Sequence, residues 1–157
     1  MLVFNNNRGQ TKPFDGQTQV PPEETYSYTI EYEIDEAAGT VEAVWISEPE
    51  MTTASCNSFI MSESRRLPKT GNILEFNGMC VPAGVKDATW DAWDLNKMFI
   101  EEFPHGGRVR EYTRNEPAGI VFELRFWDPR EVIGWQNYGG LKIPGLYGPG
   151  ATVKSID

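Results

Sequence analysis

The sequence predicts an all-β, antiparallel architecture, and three observations carry that expectation. Runs rich in Val, Ile, Tyr, Phe and Trp show partial alternation, as in Thr40-Val41-Glu42-Ala43-Val44-Trp45, the pattern of a half-buried strand. Turn-forming clusters such as Asp35 to Gly39 and Asn115-Glu116-Pro117-Ala118-Gly119 punctuate those runs. Finally, Glu31 to Trp45 can be laid over Glu111 onward without a gap, matching Glu31 with Glu111, Tyr32 with Tyr112, Glu36 with Glu116, Gly39 with Gly119 and Val41 with Val121. The offset there is 80 residues (111 − 31), and Leu2-Val3-Phe4-Asn5 matches Leu74-Glu75-Phe76-Asn77 at an offset of 72 (74 − 2). Two similar units that differ by one insertion of 8 residues (80 − 72) are therefore expected, and units of this size must stack to bury their faces.

Taken in order, Met1 to Phe4 reads as a strand, followed by an Asn-rich turn at Asn5 to Asn7 and a loop rich in Pro, Gln and Gly. A hairpin follows, its arms ending near Asp35 and starting again at Thr40, with Gly39 supplying a left-handed residue. The second unit is expected to hold four strands, roughly Ser58–Leu67, Asn72–Phe76, Arg108–Thr113 and Ile120–Trp127. Its last hairpin turns on Pro117, which suits the second position of a type I turn, and on a left-handed Gly119. Four strands is the size of one propeller blade. The fold class expected is thus an antiparallel β-propeller fragment of about one and three-quarter blades: a partial blade over about 1–50, a complete blade over about 58–127, and a C-terminal tail, 128–157, lying along the last blade.

One stretch departs from the strand pattern. Between Pro82 and Pro104, apolar residues at Trp90, Trp93, Met98, Phe99 and Phe103 fall near helical spacing, with Asp87 or Thr89 as a cap. The spacing predicts a short helical insertion whose apolar stripe packs on the sheet.

Charge and composition narrow the function. A net charge of −9 opposes binding to a nucleic-acid backbone, and no apolar run reaches membrane-spanning length. The first ten residues carry no signal-peptide pattern. Cys56 and Cys80 are too few and too far apart for a paired-cysteine zinc site; they fit either a disulfide or two small buried side chains.

The order L-P-x-x-G-N-I-L-x-F-N at Leu67 to Asn77, R-V-x-E-Y at Arg108 to Tyr112, the N-E-P-A-G hairpin and K-I-P-G-L-Y in the tail resembles the aryl sulfotransferases. Leu2-Val3-Phe4-Asn5-Asn6 is similar to their L-V-F-D-N-G segment, with Asn5 where the family usually has Asp, and Tyr28 to Trp45 is similar to their first hairpin, with Thr29-Ile30 replacing Arg-Val. The resemblance implies a propeller enzyme that moves a sulfuryl group from an aryl sulfate ester to a phenol through a sulfohistidine, with no cofactor and no metal, in the periplasm or outside the cell. It also implies that the nucleophilic histidine lies just ahead of Leu2, upstream of Met1, so that the chain is the C-terminal part of such an enzyme. Its partners are then the aryl sulfate and the phenol, together with upstream blades or a second copy, and neither nucleic acid nor a membrane.

Three side chains are candidates for the site. His105, the single histidine, stands in a Pro104-His105-Gly106-Gly107 turn and suits proton transfer near neutral pH. Asn5 opens the Asn-rich turn and Arg8 follows it, where the resemblance places a sulfate-binding end. Glu31 and Glu111 recur at one place in both units, which favours a packing role for them over catalysis. The alternative function is a non-catalytic β-repeat module that binds a partner through the Trp-rich insertion.

Overall fold

The computed structural model describes residues 1–6, 24–52, 54–58, 60–82, 106–127 and 137–140. These residues form antiparallel strands in two sheets. The expected helical insertion between Pro82 and Pro104 lies outside the described residues, as do Arg8 and His105.

The first sheet has three strands in the order β1 (Leu2–Asn5), β2 (Tyr28–Asp35), β3 (Thr40–Ile46). The hairpin between β2 and β3 closes as the sequence expects. Gly39 has φ +68°, and the Asp35 carboxylate accepts hydrogen bonds from the Ala37 and Ala38 amides at 2.9 and 3.0 Å. An acid at this position satisfies amides that a tight turn leaves unpaired.

The second sheet is built on β6 (Ile73–Pro82), the longest strand, which runs six residues past the expected Phe76. On one side β6 pairs with β7 (Gly106–Tyr112), and β7 with β8 (Ile120–Phe126). On the other side two short strands share its edge: β5 (Glu63–Arg66) pairs with Ile73 to Phe76, and β4 (Cys56–Asn57) with Val81 and Pro82. The break between them has a local cause. Met61 adopts φ +58°, and the chain passes so close to Gly78 that a Cβ there would stand 1.7 Å from the Met61 carbonyl oxygen. Hydroxyls replace the missing ladder, with Ser62 Oγ accepting the Gly78 amide at 3.3 Å and Ser58 Oγ accepting that of Met79 at 3.0 Å.

The second hairpin departs from the sequence expectation. The Glu116–Pro117 bond is cis, and Gly119 is not among the residues of positive φ, so the turn is not type I with a left-handed glycine. Thr113 closes it instead, donating its amide to the Gly119 carbonyl and accepting the Gly119 amide on its hydroxyl. The loop is therefore longer than the first one, and pairing shifts with it. Leu2 faces Glu31 and Leu74 faces Glu111, as the two offsets require, but Glu31 faces Trp45 whereas Glu111 faces Phe122.

The sheets meet face to face. Trp45 of β3 packs edge-on against Tyr112 of β7, ring centroids 6.3 Å apart, with Ile73 beside them. The opposite face of the second sheet is apolar, with Leu67, Leu74, Phe76 and Val109 buried together. Residues 137–140 lie against it: the Asn137 amide donates to the Gly78 carbonyl at 3.0 Å, and a Cβ on Gly140 would come 2.9 Å from the Phe76 ring. Farther out, β8 presents Phe122 and Leu124 on that face, 47 % and 44 % exposed. Cys56 and Cys80 are joined as a disulfide, which ties β4 to the far end of β6.

Candidate functional site

Where the sheets meet, the seam between them is ionic. In β6 the side chains alternate Leu74 and Phe76 outward with Glu75 and Asn77 inward; in β7, Val109 points outward and Arg108, Arg110 and Tyr112 inward. Cross-strand register sets Glu75 opposite Arg110 and Asn77 opposite Arg108. Charged side chains are rarely buried without partners, and here each one has them.

Glu48, just past β3, is the hub. Its Oε1 accepts from Arg108 Nη2 at 3.0 Å, Arg110 Nη1 at 2.5 Å and the Tyr112 hydroxyl at 2.8 Å, and its Oε2 accepts from Ser55 Oγ at 2.6 Å. Arg108 also donates to Asn77 Oδ1 at 2.6 Å and to the Ala54 carbonyl at 2.7 Å. Arg110 donates to Glu123 Oε2 at 2.5 Å and to the Tyr112 oxygen at 3.1 Å. Glu75, completely buried, accepts from Thr29 Oγ1 at 2.6 Å, Ser47 Oγ at 2.9 Å and Asn77 Nδ2 at 3.1 Å, with Arg108 Nη2 3.6 Å away.

These surroundings tune the acids and the phenol. Burial pushes the Glu75 carboxyl above its ordinary range, more than the attraction of Arg108 and the Thr29 hydroxyl pulls it down. Burial likewise raises the Tyr112 phenol, and Glu75 and Glu48 add to that. At the rim of the seam the balance reverses. Glu31 is raised by burial, but Arg114, bonded at 2.6 Å, and Arg66 outweigh it and hold the carboxyl below its usual range. Glu31 thereby bridges β2 to β5 and to the loop after β7. Its counterpart Glu111 is buried and accepts from Asn72 Nδ2 at 2.8 Å.

Chemically, this arrangement holds two sheets in one register. The guanidinium groups of Arg108 and Arg110 are already met by Glu48, Glu75, Glu123 and the Ala54 carbonyl, so neither is free to take up a sulfate oxygen. Among the described residues, no three His, Cys, Asp or Glu side chains converge as a cation site, and no helix is long and apolar enough to cross a membrane.

A family model for arylsulfotransferases matches residues 1–123, the span that contains both sheets as far as the middle of β8. The chain belongs to the arylsulfotransferase family. Aryl sulfotransferase-type function in general follows from that membership. No curated protein and no solved structure matches the chain.

Of the residues expected at an arylsulfotransferase site, Asn5 closes β1 opposite Tyr28. His105 and Arg8 lie outside the described residues. Sequence reasoning missed Glu48, Glu75, Arg108, Arg110 and Tyr112. A usable signal was present: β6 and β7 each alternate apolar with polar residues, and their polar faces carry opposite charges.

Proposed function

We propose that the chain works in sulfuryl transfer from an aryl sulfate ester to a phenol, by way of a sulfohistidine whose imidazole stands ahead of Leu2, outside this chain. The family match over residues 1–123 carries this reading. In the first step an imidazole nitrogen attacks sulfur, the N–S bond forms, the S–O bond to the donor's aryl group breaks, and the phenolate leaves. In the second step the acceptor phenol gives up its proton, its oxygen attacks sulfur, and the N–S bond breaks.

In this reading the two sheets are successive blades of a propeller, a partial one over about 1–50 and a complete one over about 58–127. Support comes from the shared strand order, the equal register of β1 on β2 and β6 on β7, and a bulge at Glu31/Tyr32 and again at Glu111/Tyr112. The exposed apolar residues of β8 further support a neighbour, either more blades or a second copy. The disulfide fits an oxidising compartment, periplasmic or extracellular. The seam's task is to fix the blades at one angle, so that groups elsewhere in the ring meet the sulfate.

The test uses the single histidine. A chromogenic aryl sulfate donor is mixed with the chain and a phenol, and the protein is then digested and mapped by mass spectrometry for a sulfuryl group on His105. No transfer and no label are expected. Transfer by the chain alone, abolished in His105→Ala, would place the nucleophile within it and overturn the upstream histidine.

A further inference from the structure

Strand β8 ends the order of the second sheet, pairing with β7 on one side and, among the described residues, with no strand on the other. Its outer edge therefore carries a row of backbone N–H and C=O groups that a further strand can take up. Past the bulge, Phe122 to Phe126 runs in regular register on Glu111 to Gly107, and this stretch holds neither the proline nor the lysine that commonly blunts an edge. It holds a charge pattern instead. Glu123 and Arg125 lie on the ionic face, opposite Arg110 and Arg108, while Phe122, Leu124 and Phe126 lie on the apolar face and are exposed.

That pattern is self-complementary. If β8 pairs antiparallel with β8 of a second copy and both apolar faces stay on one side, the two-fold axis passes through a residue, because directly opposite residues point the same way. Centred on Glu123, the axis sets Glu123 against itself; centred on Arg125, it sets Arg125 against itself. Both arrangements repel. Centred on Phe122, it sets Glu123 against Val121, and no charges pair. Centred on Leu124, it sets Glu123 of each copy against Arg125 of the other, Phe122 against Phe126, and Leu124 against Leu124. Only this register joins opposite charges and apolar side chains together.

Arg125 has the donors for such a contact. It faces Arg108 across the β7–β8 ladder, an arrangement of like charges, and among the described residues it bonds only through Nε, to Glu123 at 2.6 Å. A carboxylate on the far side of the strand would meet its terminal nitrogens and offset Arg108, and Glu123 of the second copy supplies one in the Leu124-centred register.

We propose that β8 joins β8 of a second copy edge to edge, antiparallel and centred on Leu124, so that the second sheets of two chains form one continuous sheet. The pairing uses the edge and leaves the faces of the sheet free, so it stands independently of the sulfuryl-transfer reading. The contact is isologous and closes at two copies. Being small, it should hold with a dissociation constant of about 1 to 100 µM.

Sedimentation equilibrium of the whole chain over about 1 to 300 µM tests it, in about 0.15 M salt so that repulsion between two chains of charge −9 is screened beyond about 8 Å. The average mass should rise from that of one chain toward a plateau at twice that value. Arg125→Glu places like charges opposite each other at both contacts and should weaken association at least about tenfold, while the loss of its exposed ion pair leaves the fold intact. Glu123→Arg should weaken it similarly, and an equal mixture of the two variants should associate again, because every contact between unlike chains is then Glu to Arg. Glu123 also holds Arg110, so a second readout covers the case in which Glu123→Arg unfolds the chain. Both native cysteines are already joined to each other, so a cysteine added to β8 is the single free thiol. Leu124→Cys should then cross-link to itself on mild oxidation, and Phe122→Cys, which faces Phe126 of the second copy, should not. A mass that stays at one chain, a mass that climbs past two chains without a plateau, undiminished association in Arg125→Glu, a folded mixture that fails to associate, or Phe122→Cys cross-linking faster than Leu124→Cys would each overturn the proposal.

Discussion

Replacing Glu48 with Gln removes one negative charge from between two buried guanidinium groups while keeping the side chain's shape. The hydrogen-bond count changes little. The amide oxygen still accepts from Arg108, Arg110 and Tyr112, and the Ser55 hydroxyl can turn to accept from the new NH₂ group. What is lost is charge compensation at a side chain only 10 % exposed, facing two arginines that are each 3 % exposed. Removing one partner of a buried ion pair costs about 3 to 5 kcal/mol. Glu75 still faces Arg108 and Glu123 still holds Arg110, which sets the expectation at the lower end, about 3 kcal/mol. In urea denaturation near pH 7 that is a fall in midpoint of about 1 to 2 M. The loss should persist in about 0.5 M salt, since buried charges are poorly screened. Combining Glu48→Gln with Arg110→Met should cost less than the sum of the two single changes, by about 1 kcal/mol or more. A loss under about 1 kcal/mol, or one that disappears in salt, would refute the idea that the seam is a dry ionic network.

Three further outcomes follow from the same side chains. Because burial raises the Glu75 pKa, the folded state holds that proton more tightly than the unfolded chain; its stabilisation is full below the ordinary value of 4.5 and is lost as pH rises through the folded pKa. Glu75→Gln cannot ionise, so its stability relative to the parent should improve between pH 4 and pH 8, and a constant difference across that range would contradict the assignment. Glu31 has the opposite sign: its pKa is lowered, so its contribution is present above 4.5 and lost as pH falls through the folded pKa. The stability difference between the parent and Arg66→Gln/Arg114→Gln should therefore shrink as the solution is acidified, and a difference that grows in acid would count against the bridge. Reducing the Cys56–Cys80 bond, which closes a loop of sequence separation 24, should lower stability by about 3 kcal/mol; an unfolding midpoint unmoved by dithiothreitol would show that the bond does not constrain the chain.

The strands and the first hairpin were legible because they depend on neighbours in sequence. Thr40 to Ile46 alternates, and Asp35 and Gly39 carry their own turn chemistry. The second hairpin was misread at Pro117 and Gly119 because Thr113, outside the turn motif, closes the loop through its hydroxyl. The seam was harder still. Glu48 meets Arg110 across 62 positions, and Arg108 and Arg110, alternating with Val109, read locally as one solvated face of a strand. Only the cross-strand register, with Glu75 set opposite Arg110, turns that face inward, and register is a tertiary property. Among the candidate site residues, Asn5 was expected to open the turn after the first strand and instead closes that strand opposite Tyr28, a pairing set by partners far along the chain.

The second sheet divides its two faces between two tasks. Its inner face is ionic and tolerates one register only, because sliding β7 by one residue would turn Arg108 and Arg110 to the apolar side. Its outer face, with Phe122 and Leu124 exposed on β8, is apolar and has no such demand, since hydrophobic contact is non-directional. Substitutions on the two faces should therefore separate. Phe122→Ser with Leu124→Ser should reduce binding of a hydrophobic dye and any self-association of the chain. Each change should shift the unfolding free energy of the isolated chain by less than about 1 kcal/mol, because half-exposed side chains lose little burial. Glu48→Gln should do the reverse, destabilising the chain while leaving dye binding to the native state unchanged. If the serine pair instead destabilises the chain as much as Glu48→Gln, the outer face is already covered within the chain itself, and a neighbouring blade or second copy is not needed to bury it.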